Sequence, residues 1–185
     1  MEKKWKSREV VIVAIVAAVI GVIYTLMDYA YMPLAALLGP VLMELTFGIY
    51  LLSAALPAYI VRKPGFALFG ALVTAAVNIL LGSAYGIQVV LAGVLQALAV
   101  ELVYAIWKYK PNLLCLVVSG ILAGCFVFVR DYIVFGYSTL SAGVIIGMLA
   151  VRFISAAVIG TLLVKGIRAG LQKAGAMKNF KPIDA

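Results

Sequence analysis

The sequence predicts an all-α polytopic membrane protein: a bundle of six transmembrane helices with both termini cytoplasmic. Three observations predict this. Hydrophobic residues make up 66% of the 185-residue chain. They fall in uninterrupted runs too long and too Gly-rich for a buried soluble core, without the short alternating strands of a β-barrel. Of the 15 Lys and Arg, 13 sit in four short clusters between or beside those runs. Cytoplasmic loops retain Lys and Arg, so four clusters on one side fix a topology before any motif is consulted.

The first cluster is Lys3, Lys4, Lys6 and Arg8. The run Val10–Met27 behind it has 18 residues and no charge. As a helix it rises about 27 Å, enough to span a bilayer. It is long for a signal peptide and no clear small-residue cleavage site follows, so it reads as an uncleaved first helix, 9–27. A break at Asp28–Pro40 precedes a second helix, 40–61, which Arg62 and Lys63 close. Pro64–Trp107 carries a single charge, Glu101, and is too long for one crossing. Gly82-Ser-Ala-Tyr-Gly86 divides it into helices 65–81 and 87–107. Lys108 and Lys110 follow, then a helix 112–134, a break at Phe135–Leu140 and a sixth helix, 141–166, with the fourth cluster, Lys165, Arg168, Lys173, Lys178 and Lys181, at and beyond its end. None of the three breaks contains Lys or Arg. The basic tail, 167–185, reads as a cytoplasmic extension lying on anionic lipid. The chain, 1–185, is one integral membrane domain with no soluble domain.

The net charge of +8 is thus topological, and nucleic acid is not an expected partner. Cys115 and Cys125 lie about 15 Å apart along one helix and cannot bridge. Histidine is absent, which removes imidazole relays, Ser-His catalysis and His-based metal sites. There is no GxxxxGK[ST] loop, no HExxH and no GxSxG elbow. An enzyme is not expected, nor a cofactor or a metal.

Small residues recur at four-residue spacing. Ala14 and Ala18, extended by Ala17 and Gly21, mark the first helix; Gly120 and Gly124 mark the fifth, Gly143 and Gly147 the sixth. Such pairs let backbones approach closely. On the fifth and sixth helices they read as internal packing; on the first the stripe reads also as a face for another subunit.

Polar side chains inside a membrane are functional candidates by default. Counted at 1.5 Å per residue, Glu44, Asn78, Gln88, Gln96, Arg130 and Asp131 fall in the outer half, at the level of Tyr85, Tyr132 and Tyr137 and of Tyr24, Tyr29 and Tyr31. Phenol faces and a carboxylate attract a cation, and amides match heterocycle nitrogens and amino groups. The group therefore suits a small, flat, polar ligand. The alternative for the tyrosines is an interfacial belt, for Glu44 an ion pair with Arg130, and for the amides bridges between helices. Glu101 and Arg152 fall at matching depth and read as a buried ion pair.

These features, with Met43-Glu-Leu-Thr-Phe-Gly-Ile-Tyr-Leu-Leu-Ser-Ala-Ala-Leu-Pro-Ala-Tyr-Ile-Val-Arg-Lys-Pro-Gly65 and the stretch Gly82–Ala105, resemble the substrate-binding S component of an energy-coupling-factor (ECF) transporter. Within that group the chain is similar to the YkoE family, associated with thiamine and its precursor hydroxymethylpyrimidine. The resemblance covers almost the whole chain. It implies a bacterial plasma-membrane subunit that captures thiamine from outside, with a membrane coupling (T) component and two cytoplasmic ATPases as partners. It implies that Ala14 and Ala18, with Gly21, face the coupling protein. Glu44 would balance the thiazolium or accept from the aminopyrimidine. Gln88, Gln96 and Asn78 would bond the pyrimidine, and outer tyrosines would stack. The Trp-rich cage and histidine of the best-known thiamine S components have no counterpart, since Trp5 and Trp107 both fall at the predicted cytoplasmic side. Alternatives from other classes are an autonomous small-molecule permease, an intramembrane enzyme and a membrane assembly factor.

Overall fold

The computed structural model describes residues 4–177 and residue 180. Lys3, Lys178 and Lys181 of the predicted basic clusters lie outside the described residues. The described chain is helical throughout, in the order α1 (Ser7–Met43), a 3-10 turn (Glu44–Thr46), α2 (Phe47–Tyr50), α3 (Leu52–Val61), α4 (Phe66–Leu80), α5 (Gln88–Ile106), α6 (Leu113–Val134), a 3-10 turn (Tyr137–Thr139), α7 (Ala142–Ser155), a π-helical turn (Ala156–Gly160) and α8 (Thr161–Lys173). Four stretches are long and apolar enough to cross a membrane: Ser7–Val61, Gln88–Ile106, Leu113–Val134 and Ala142–Lys173. Phe66–Leu80 is a shorter apolar helix.

The stretch Ser7–Val61 folds back on itself. Tyr24 of α1 donates its hydroxyl to the carbonyls of Ile49 and Tyr50 and accepts from the Ser53 amide, residues that a straight helix would carry about 37 Å away. The sequence places the break anywhere in Asp28–Pro40; the structure confines it to Gly39, whose φ of 67° and ψ of 172° are non-helical. Residues 28–38 are helical, against the expectation of a loop. Pro33 removes only one amide donor, and the surrounding Leu-Ala-Ala-Leu-Leu run sustains the helix. At Gly39 the missing Cβ permits positive φ, and Pro40 biases the residue before it away from helix.

α3 is the central element, with all ten of its residues buried. α4 crosses it where Gly70 meets Pro57; a Cβ at Gly70 would stand 2.2 Å from the Pro57 ring. The 44–50 segment crosses the π-turn equally closely, since a Cβ at Gly48 would lie 2.6 Å from the Ser155 carbonyl and 2.8 Å from the Gly160 amide. Ser155 ties this crossing together: its hydroxyl accepts from the Gly48 amide at 2.9 Å and donates to the Leu45 carbonyl at 2.5 Å. Gly120 and Gly124 face Ala156 and the Arg152–Phe153 pair, which is internal packing. Gly147 meets Val41, while Gly143 faces open space.

The outside of the bundle is apolar. Val11, Ile15, Val19, Val22 and Leu26 form an exposed stripe on α1, and Leu102, Ile106, Ile146, Ile154 and Leu162 are exposed on other helices. Polar groups are inside: Asp28, Glu44, Asn78, Gln96, Asp131 and Arg152 are each at most 6% exposed. This inversion is what a lipid solvent selects.

The basic clusters gather at one end. Trp5 donates to the Pro64 carbonyl, Lys63 pairs with Glu9 at 2.8 Å and bonds the Lys4 carbonyl, and Arg168 of α8 lies over the Tyr59 ring. Glu101 joins the 107–111 turn to the same end. One of its oxygens accepts from the Ala67 amide in the first turn of α4, the other from the Tyr109 hydroxyl. The expected Glu101–Arg152 ion pair is therefore absent. Rise along a helix gives depth, but not the face on which a side chain stands. Glu101 looks at the start of α4, where its charge satisfies free amides; Arg152 looks at α6 and the 44–50 segment.

Candidate functional site

A cavity of about 400 Å³ lies toward the opposite end, where the 81–87 and 135–141 loops are. It is walled by α1, the 43–53 segment, α4, α5, α6 and α7. Of the residues proposed from sequence, Glu44, Asn78, Tyr85, Gln96, Arg130 and Asp131 line it. Gln88 and Tyr132 do not. Gln88 contributes through its backbone, the carbonyl accepting from Arg130 at 2.8 Å. Tyr132 is 40% exposed on the outside of α6, one position round from the inward-facing Asp131. Tyr24, Tyr31 and Tyr137 line the cavity, whereas Tyr29 is exposed and bonds the Gly82 carbonyl.

One wall is an ionic network centred on Arg152. Its Nε and Nη2 donate to the two oxygens of Glu44 at 2.5 and 3.0 Å, and Nη2 also reaches Asp131 at 2.8 Å. The guanidinium lies between the rings of Phe47 and Phe128, 5.0 Å from each centroid. Arg130 pairs with Asp131 at 2.5 Å. Glu44 thus binds Arg152 and not Arg130, a second correction to the pairing read from sequence. The wall is charge-balanced: two carboxylates face two guanidiniums. Arg152 Nη1 has no hydrogen-bond partner among the described residues.

Asp28 also lines the cavity, although by sequence it falls in the expected Asp28–Pro40 break. Its oxygens accept from the Tyr50 hydroxyl at 3.1 Å and the Ser83 hydroxyl at 2.6 Å. The side chain is buried and has no Lys or Arg partner among the described residues. Two tyrosine pairs also line the cavity. Tyr24 and Tyr50 meet edge-on at 4.9 Å, and Tyr31 and Tyr85 at 5.9 Å. In the 81–87 loop, burial and the neighbouring Tyr31 and Asp28 push the Tyr85 phenol up to about 12, so it stays a neutral donor at physiological pH. The hydroxyls of Tyr31, Tyr85 and Tyr137 make no hydrogen bond among the described residues. Asp28 was discoverable as the sole acid between Glu9 and Glu44, with Tyr24 and Tyr31 one helical turn to either side.

Between the walls stand two amides. The Asn78 side-chain oxygen lies 3.1 Å from the Thr25 hydroxyl, which also reaches the Gly21 carbonyl at 3.0 Å, and that of Gln96 lies 3.3 Å from the Ser53 hydroxyl, which also reaches the Tyr50 carbonyl at 3.3 Å. With the oxygens so placed, neither NH2 group has a hydrogen-bond partner among the described residues.

The subunit-facing stripe divides. Ala14 and Ala18 are half-buried beside the exposed face of α1. Gly21 is buried against α4, where a Cβ would stand 2.8 Å from the Thr74 carbonyl and from Val77. Gly21 therefore serves internal packing against α4.

A helical bundle, apolar outside and built around a polar cavity, is the architecture of a membrane-embedded ligand-binding subunit. Comparison with known proteins places it more finely. Residues 8–126 match a family described as "ABC-type cobalt transport system, permease component". The "Putative HMP/thiamine permease protein YkoE" of Bacillus subtilis (strain 168) is 34% identical over 179 residues, 96% of this chain and 90% of that protein. A solved S component of an ECF transporter superposes with a TM-score of 0.89 at 33% identity, over 94% of this chain and 89% of that one. The chain belongs to the S components of ECF transporters, in their YkoE-like group. It is a membrane transport protein, and its family is not enzymatic. The cavity acids are bonded to guanidinium and hydroxyl groups, and no three His, Cys, Asp or Glu converge as a metal site among the described residues.

Proposed function

We propose that this chain captures thiamine from the extracellular side for uptake driven by partner subunits. The observation that carries the reading is the cavity, with its unspent amide donors and its phenol-lined acid. Its volume falls in the usual range of about 300–1,000 Å³ for small-molecule sites. The NH2 groups of Asn78 and Gln96 match pyrimidine ring nitrogens, and Tyr31, Tyr85 and Tyr137 offer faces for stacking. The family membership and the name of the Bacillus relative support the same substrate class.

The bundle crosses the bacterial plasma membrane six times, with both termini and the four basic clusters inside and the cavity toward the exterior. The chain has no phosphate-binding loop, so its partners are a coupling protein in the membrane and two ATPases, with Ala14 and Ala18 at the coupling face. Hydroxymethylpyrimidine is the alternative ligand, favoured by the same amide donors. Calorimetry on the purified full chain is the test. Thiamine binding with a Kd below about 1 μM, beyond 8 kcal/mol, is expected; no heat with either compound defeats the reading. Mass spectrometry of the copurifying small molecule gives an independent answer.

A further inference from the structure

Asp28 is the cavity acid that the protein leaves without a countercharge. Three carboxylates and two guanidiniums line the cavity, and both guanidiniums are committed to Glu44 and Asp131. One carboxylate, Asp28, is left outside these ion pairs. Isolated charge in a membrane interior is costly unless something compensates it. Tyr50 and Ser83 supply hydrogen bonds but no charge. The rings of Tyr50, which bonds it, of Tyr24 packed on Tyr50, and of Tyr85 beside it are the environment in which a fixed organic cation is held by ring faces and a carboxylate together.

We infer that Asp28, not Glu44, is the residue that selects a ligand carrying a permanent positive charge over a neutral one. The inference rests on the reading that the cavity takes thiamine or its precursor. It assigns the thiazolium to the Asp28 wall and leaves the aminopyrimidine to Asn78 and Gln96. Thiamine and hydroxymethylpyrimidine share the aminopyrimidine and differ in the cationic ring, so the pair isolates the charge.

The experiment is calorimetry on the full chain in nanodiscs with both compounds, for wild type, Asp28→Asn and Asp28→Glu. Asn keeps the shape, and the Tyr50 and Ser83 hydroxyls can rotate to suit it. The expected result is that Asp28→Asn weakens thiamine by about tenfold or more, changes hydroxymethylpyrimidine by less than about threefold, and that Asp28→Glu keeps the wild-type preference. Equal losses for both compounds, or no loss for thiamine, overturn the assignment while leaving the capture function intact. Wild type binding neither compound overturns both. A measurement on wild type alone covers the case of an unstable variant. The N-methylated cation of hydroxyethyl-methylthiazole should compete with thiamine about tenfold better than the neutral thiazole, and equal competition overturns the inference.

Discussion

Arg152 and Asp28 are both buried charges, and they behave oppositely. Arg152 is fixed by Glu44, Asp131 and two phenyl rings, so it organises α6, α7 and the 44–50 segment. Removing one partner from such a group strands a buried charge, at a cost of about 3–5 kcal/mol. Glu44→Gln is therefore expected to lower the thermal midpoint of the ligand-free protein, read by a thermal-shift assay in detergent. An unchanged midpoint would show that Asp131 alone suffices for Arg152. The amides act differently. Asn78→Ala and Gln96→Ala each remove one donor worth about 0.5–1.5 kcal/mol. Each should weaken thiamine and hydroxymethylpyrimidine alike, by roughly three- to tenfold on calorimetry. A selective loss of thiamine would misplace the pyrimidine.

At the scale of elements, the cavity depends on two close crossings. α3 meets α4 at Pro57–Gly70, and the 44–50 segment meets the π-turn at Gly48–Gly160. Both put Glu44, Asn78 and Arg152 where they are. Gly70→Ala forces a methyl into the Pro57 ring and should cost about 1–3 kcal/mol. Gly124→Ala meets side-chain atoms at 3.4–3.5 Å and should be far milder. The two variants, compared by thermal shift, test the packing directly; equal midpoints would refute it. Ser155→Ala orphans the buried Gly48 amide, which is expected to cost about 1–3 kcal/mol. The short π-turn beside it is the kind of irregularity that recurs at functional sites.

For the whole molecule the charge pattern and the cavity set a direction. In the proposed topology the end bearing the Lys and Arg clusters is inside and the 81–87 loop is outside. In a background lacking Cys115 and Cys125, a membrane-impermeant maleimide added to intact cells should label Ala84→Cys and spare Lys108→Cys. The reverse pattern would invert the protein and place the cavity toward the cytoplasm. The purified chain alone in liposomes should bind ligand without accumulating it, and uptake should appear only with the coupling protein and ATPases. Uptake by the chain alone would instead make it a permease.

Much of this was legible in the sequence because it follows from composition and order. Apolar run lengths and the placement of Lys and Arg give helical membrane segments; Gly82–Gly86 and Phe135–Leu140 announce their turns; six of the eight proposed ligand residues reach one cavity. Pairing was not legible. Glu44 joined Arg152, Glu101 capped α4, and Gly21 turned inward, because depth along a helix is a one-dimensional quantity whereas contact depends on which face meets which neighbour. Asp28 was hidden for a related reason: the first helix runs on to Gly39, so an acid read as loop lies within a helix wall. The sequence by itself determined the solvent, the helices and the family; only the tertiary structure decided which charges pair and that Asp28 has no Lys or Arg partner among the described residues, since that balance exists only once the helices have converged.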